Sequence, residues 1–421
     1  MVNKKVYPRH TLNIDRSAFG TAFRMIIGGK ISNGDCIKEF EKEFADYIGV
    51  KHALGIGSAR KGFYLILKSL DFDENDEIIM PSYTFHALPI AVIACGLKPV
   101  FVDVHPQTYG IDPDLIEEKI TERTKAIVVT HLFGQPCDMG RIRELSEKYN
   151  LIVIEDCAHA CGTKYGNEHT GALGDVAIFS FKMGKDLPCF GGGMITTKHE
   201  NIYTDISCLA KHLPYPSEWE ITKEVMYTFL CYLVIQKKLF KYFTYPMIQF
   251  FDLLGIDWIE RQTREKINME NDLKAFQYQT KLSNLQAAVG LKQLKKLDEV
   301  HRLRRSNAQK LVDELSKVEN IPAPVTVKNA EATYLYFRIQ VKDPKLFKKL
   351  MLDRGVDTKL DDMSACSALA DFSKYHVSCP IAERLPLESL GIPNSPYLND
   401  EDILYIVEQI KYVSNEVYSK T

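Results

Sequence analysis

In FSFKMGKDLPCFGGGMITT, residues 179–197, two lysines, Lys182 and Lys185, stand between an apolar run and the triplet Gly191, Gly192, Gly193. Upstream, LIVIEDCAHACG (151–162) ends another apolar run on Glu155 and Asp156, with His159 following. A lysine, an aspartate and a phosphate cradle are the set that pyridoxal phosphate requires. The lysine forms the covalent link, and an anionic aspartate keeps the pyridine nitrogen protonated so that the ring accepts electrons when a proton leaves the substrate carbon. Burial and the cofactor's cation lower the lysine pKa towards that of a useful base. The cradle is read in GIGSARKGF (55–63), where a strand passes through Gly57 and Ser58 into a helix. Amides at a helix N-terminus bind phosphate, and Arg60 adds a charge-assisted bond. PSYTFHA sets Phe85 after a strand, where an aromatic ring can stack on the pyridine face. Each residue also has a plainer role: Asp156 as a helix cap, Phe85 as core, small residues as an ordinary strand-to-helix turn. His159 alternates with Cys157 and Cys161, but three ligands on one short segment cannot close a tetrahedral zinc site, so no metal is expected.

The elements that must position these residues follow from pattern. Apolar runs at 51–55, 77–80, 99–104, 126–130, 151–155, 177–181 and 194–197 alternate with amphipathic stretches, including GFYLILKSL, HALPIAVIACG and DMGRIRELSEKYN. That alternation predicts βαβ units, a mostly parallel sheet and an α/β fold with helices on both faces. Ligands then collect at the carboxyl ends of the strands, where Ser58, Arg60, Ser82, Thr84, His131, Asp156, His159 and Lys185 fall. Residues 282–316 carry apolar side chains at helical spacing and predict one long helix. A strand (332–341), a helix (344–355) and a terminal helix (400–417) after it predict a smaller α+β domain, so the chain divides into a large domain, 1–280, and a small one, 281–421.

With 53 Lys and Arg against 55 Asp and Glu over 421 residues, no basic stripe singles out nucleic acid as a partner. The N-terminal MVNKKVYPRHTLNID lacks a signal-peptide core, and ten scattered cysteines suit a reducing interior, so the chain is read as cytoplasmic. A hydrophobic insertion at about 201–270 includes an aromatic-rich stretch, 226–260, interrupted by Lys237, Lys238, Lys241 and Pro246. Its longest uncharged run is too short to cross a bilayer, which takes roughly 20 apolar residues. It is either packed helix or an amphipathic patch making peripheral membrane contact.

Over residues 28–200 the sequence resembles the DegT/DnrJ/EryC1/StrS family of pyridoxal phosphate enzymes, the sugar aminotransferases of aspartate-aminotransferase fold (PLP-dependent transferase fold type I). NDEIIMPSYTF, GLKPVFVDVHPQTYGIDPDL, IEDCAHACGTKYGNEHTGALGDVAIFSFKMGK, LSNLQAAVGLKQLKKLDE and CPIAERLPLESLGIPNSP occur in family order. The resemblance implies that Lys185 is the Schiff-base lysine, Asp156 the pyridine-nitrogen partner, His159 the residue beside the ring, Phe85 the stacking aromatic, and Ser180 a phosphate ligand. Ala59 and Arg60 match the phosphate loop beside Ser58, and Gln279 aligns with an asparagine that reaches a neighbouring subunit's phosphate. It further implies a homodimer with shared active sites, an amino donor such as glutamate, and a keto-sugar acceptor, most often nucleotide-linked. The chain departs from the pattern at Arg60, at Phe190 to Gly193, at Lys281, and at DDMSAC (361–366), where a His-Tyr pair is usual. The alternatives are a non-sugar or lipid-linked keto acceptor met at a membrane, and a non-catalytic binding role.

Overall fold

The computed structural model describes residues 5–256, 267–361 and 363–419. Strands β1 (His52–Ile56), β2 (Glu77–Pro81), β3 (Lys98–Val102), β4 (Thr124–Thr130), β5 (Ile152–Asp156), β6 (Val176–Ser180) and β7 (Gly193–Thr197) form one sheet in the order β1-β7-β6-β5-β4-β2-β3. These are the predicted runs, displaced by at most two residues at either end. The pairings from β6 through β5, β4 and β2 to β3 are parallel. β7 is antiparallel to both β6 and β1. The reversal arises because the chain leaves β6 at Ser180 and returns through a short loop, with no crossover helix, to set Gly193 opposite Ser180.

Helices α1 (Arg16–Ile27), α2 (Cys36–Ile48), α3 (Ala59–Ser69), α4 (Ala87–Ala94) and α5 (Met139–Tyr149) cover the sheet. Alternating strand residues face opposite ways. Ile78, Met80, Val128 and Ile154 pack with α3 and α4, whereas Ile79, Ile127, Val129 and Val153 pack with α5. Ala177, Phe179 and Met194 pack with α1 and α2. Both faces are buried, which is why the strands read as continuous apolar runs.

The insertion begins with α6 (Glu200–Ala210) and α7 (Glu218–Val234). A short turn, a π-helical turn at Phe240–Thr244 and α8 (Tyr245–Leu253) follow in one helical run, with Pro246 just after the π-helical turn. The part of the insertion from 257 to 266 lies outside the described residues. Among the described residues no helix is long and apolar enough to cross a membrane.

The predicted long helix is α9 (Asn284–Leu315), opened by a capping box between Ser283 and Gln286. Its first half adds Leu285, Ala287 and Val289 to the core beside the sheet, and its second half adds Ala308, Leu311 and Leu315 to a separate core. That second core holds a three-stranded antiparallel sheet, β8 (Phe337–Gln340), β9 (Lys359–Leu360) and β10 (Ser389–Ile392), with β10 central. α10 (Pro344–Asp353) and α11 (Asp400–Ser419) pack on it. The predicted strand 332–341 is shortened to β8. Tyr7, from the N-terminal segment, enters the same core and donates to Asp402 at 2.7 Å. All ten cysteines are free thiols.

Candidate active site

The carboxyl ends of β4, β5 and β6 bring His131, Asp156 and Ser180 to one edge of the sheet, with the Lys185 loop following β6. Asp156 is buried, its Oδ1 accepting from the Ala158 N–H at 2.9 Å. Burial pushes its carboxyl above the ordinary value, against the opposing pull of that N–H and of the charge on Lys185. His159 is buried and lies against Phe133, ring centroids 5.9 Å apart, and edge-on to Tyr336 at 5.2 Å. Burial, then the charges of Lys185, Lys359 and Arg338, hold its imidazole well below the usual range, so it is neutral. Its Nδ1 is buried with no hydrogen-bond partner.

Lys185 is half-buried, and Lys182 is exposed. The residue after Lys185 fastens the loop. Asp186 is buried and accepts from Arg304 Nη1 at 2.5 Å, with His301 Nε2 at 3.2 Å, both on α9. Burial alone would raise its carboxyl; Arg304 and His301 outweigh it and hold it below the ordinary value. On the other side, Tyr336 donates to the Gly184 carbonyl at 3.1 Å. Gly162, φ +85°, lets the turn after His159 pass His301, where a Cβ would lie 2.4 Å from the ring.

The phosphate cradle read from the sequence lies at the N-terminus of α3. Ser58 is the N-cap, with its Oγ buried and unpartnered. The first turn of a helix leaves N–H groups without intrahelical acceptors, and here they begin at Ala59 and Arg60. Gly193 is packed so closely that a Cβ would lie 2.8 Å from the Ala59 nitrogen and 2.6 Å from the Phe179 carbonyl. Gly191 and Gly192 serve packing too, approaching Gln286 and Leu282. Arg60 sits over the Phe85 ring at 5.5 Å, so those two residues meet. Gln279 is buried beside the same turn, since its neighbour Thr280 accepts from the Gly57 N–H at 2.8 Å. Its Nε2 donates to Phe276 in its own chain, and its Oε1 has no partner.

His131, Glu155 and Cys157 gather as ligand-type residues, but these groups are occupied with one another. His131 Nδ1 accepts from the Cys137 N–H at 3.0 Å, which puts its proton on Nε2, facing Glu155 at 2.9 Å. The remaining Glu155 lone pairs take the N–H groups of Gly171 and Gly174.

Sequence reasoning missed a group of residues that α9, the three-stranded sheet and the N-terminal segment bring to the Lys185 loop at Gly184. A small cleft opens beside Gly184, with Arg9, His10, Arg304, Arg338 and Lys359 among its lining. Arg338 lies over Phe133 at 4.7 Å and 3.7 Å from Asp361. Asp361, the first residue of DDMSAC, accepts from the Tyr83 hydroxyl, and Ser364 and Ala365 pair with Thr84 and Tyr83. Asp362 lies outside the described residues. The available signal was an arginine, the one charged residue in the strand-like run ATYLYFRIQV.

The sequence pattern of the DegT/DnrJ/EryC1/StrS aminotransferase family matches residues 14–226 and 245–411. The chain belongs to that family. This aminotransferase is 30% identical over 387 residues to the dTDP-3-amino-3,6-dideoxy-alpha-D-galactopyranose transaminase of Aneurinibacillus thermoaerophilus, covering 91% of this chain and 90% of that one. It is 28% identical to the GDP-perosamine synthase of Escherichia coli O157:H7, covering 92% of each. Among solved structures it is similar to DesV of S. venezuelae in complex with a ketimine intermediate, with TM-score 0.74, 25% identity and 94% of each chain covered. An aminotransferase from Psychrobacter cryohalolentis shares the fold, with TM-score 0.75, 24% identity and 97% and 98% of the chains covered.

Proposed function

We propose that the protein is a pyridoxal phosphate-dependent aminotransferase that moves an amino group from an amino acid, glutamate by the family's habit, to a nucleotide-linked keto-sugar. The observation that carries this is a pair of buried, unsatisfied polar atoms at the strand ends of one sheet edge: Ser58 Oγ at the head of α3 and Nδ1 of a neutral His159 after Asp156. Buried polar atoms are normally paired, so orphans converging on one edge mark a ligand's place. Ser58, Ala59, Arg60 and Ser180 would hold the phosphate, Phe85 and His159 the ring faces, Asp156 the pyridine nitrogen, and Lys185 the carbonyl carbon. Pyridoxal phosphate supplies, when bound, a ring that takes up the electrons left by a departing proton. Lys185 Nζ would take up the proton that leaves the substrate carbon, and the salt bridge of Asp186 with Arg304 keeps its loop in place.

The named relatives support the acceptor class, since they act on dTDP- and GDP-linked sugars by their names. The arginines lining the cleft, Arg9, Arg304 and Arg338, are held by Asp357, Asp186 and Asp361, so Lys359 is the lining residue assigned to the anionic substrates in this reading. A homodimer with shared sites, in the reducing interior that ten free thiols suit, belongs to the same reading. The test is an absorption spectrum with added pyridoxal phosphate, before and after glutamate, for wild type and Lys185→Ala. A visible band that requires Lys185 and bleaches with glutamate is expected. A wild type without the band refutes the cofactor assignment.

A further inference from the structure

The peptide unit that leads into Lys185 is held at both of its polar ends. Its N–H donates to the Lys182 carbonyl at 3.2 Å, a bond within the loop, and its carbonyl, that of Gly184, accepts from the Tyr336 hydroxyl at 3.1 Å. Tyr336 lies 152 residues further along the chain, just before β8. Gly184 holds φ +87°, and a Cβ there would lie 3.6 Å from that hydroxyl, so the tyrosine closes directly on the turn. The Tyr336 ring meets the rest of the site. It stands edge-on to His159 at 5.2 Å, to Phe133 at 6.3 Å and to His10 at 5.0 Å, and Lys359 Nζ lies 5.3 Å from its centroid. Phenylalanine at this position would keep those ring contacts and lose the bond to Gly184, so packing alone does not call for the hydroxyl.

We propose that Tyr336 is a positioning residue for Lys185: its hydroxyl fixes the peptide plane from which the lysine side chain starts, and its ring holds His159 in place beside it. The proposal rests on the reading of Lys185 as the cofactor-binding lysine. Asp186, held by Arg304 and His301, anchors the chain on the far side of the lysine. With that anchor alone the residue can still turn about its N-terminal side, and a lysine side chain is a flexible four-carbon stem that carries any rotation at its base out to Nζ. Misplacing a reacting group by about 1 Å can cost on the order of a hundredfold in rate. A tyrosine suits the task because a stiff ring packed among His159, Phe133 and His10 loses little freedom in delivering its hydroxyl.

The test compares wild type, Tyr336→Phe and Tyr334→Phe, the last a control whose hydroxyl meets Thr326 at 2.6 Å. Pyridoxal phosphate is mixed with each full-length protein freed of cofactor, and the appearance of the Lys185-dependent visible band is followed at rising cofactor concentration. Amide hydrogen exchange is read by mass spectrometry on the same proteins without cofactor. Tyr336→Phe is expected to lower the limiting rate of band formation about tenfold while the half-saturating concentration changes less than about twofold. It should also speed exchange in peptides spanning Lys182 to Asp186 about fivefold. Tyr334→Phe should match wild type in both. An unchanged limiting rate and unchanged loop exchange in Tyr336→Phe overturn the proposal, as does faster exchange throughout the chain with a normal limiting rate, which assigns the hydroxyl to stability alone. A wild type that forms no band overturns the reading of Lys185 and the proposal with it. A band with wild-type kinetics in Tyr336→Phe removes the positioning role and leaves that reading standing.

Discussion

At Asp156 and His159 the same burial has opposite consequences for charge. It raises the carboxyl, with the Ala158 N–H and the Lys185 charge pulling the other way, and it strips the imidazole of its proton. Asp186 is the clearest case of a buried charge held by partners. Asp186→Ala leaves Arg304 buried without its carboxylate, an expected loss of about 3–5 kcal/mol read from the denaturant midpoint. Because its folded pKa is depressed, this stabilisation is present above the ordinary carboxyl value and disappears as pH falls below it. Gly193→Ala tests the cradle, since the added Cβ must displace the start of α3 or the β6 carbonyl at Phe179. Cofactor affinity, titrated by the visible band, is expected to fall at least about tenfold, equivalent to roughly 1.4 kcal/mol. Gly20→Ala on α1, where a Cβ meets nothing within 4 Å, should leave it unchanged.

Among the elements, α2 carries a pH-dependent liability. Glu41 accepts from the Gly55 N–H of β1 at 2.7 Å, and burial pushes its carboxyl from 4.5 up to about 7. Below pH 4.5 both folded and unfolded chains hold the proton. As pH rises towards 7 the unfolded chain ionises first, so stability is lost through that window. Glu41→Gln keeps the acceptor and removes the titration. It is expected to be more stable than wild type above pH 7, by on the order of 1 kcal/mol, and equal to it below pH 4.5, in paired denaturation curves. The strands and α9 were legible because their apolar periodicity is local. The direction of β7 was not, since it depends on how a short loop with Phe190, Gly191 and Gly192 all at positive φ folds back.

For the whole molecule, the cleft is assembled from parts far apart in sequence: Arg9 and His10 near the N-terminus, Gly184 in the lysine loop, Arg338 and Lys359 on the small sheet. Lys359→Ala is expected to raise the KM for both anionic substrates at least about tenfold while kcat changes less, because the lost charge attracts substrate and transition state alike. Equal KM values with a depressed kcat would contradict a binding role. Asp361 ties the three-stranded sheet to the segment after β2, although its position in DDMSAC read only as a departure from the family until the fold joined it to Tyr83 and Arg338.

The sequence by itself determined the strands, the long helix and the kinds of group that stand at the strand ends, Ser58, Asp156, His159 and Lys185 among them. Those features depend on side-chain period and on neighbours a few positions away. Only the tertiary structure decided which charges converge there. Arg304 reaches Asp186 across 118 residues of chain, and Arg338 and Lys359 reach His159 from another sheet, because Coulomb forces and close packing act through space and carry no trace in local pattern.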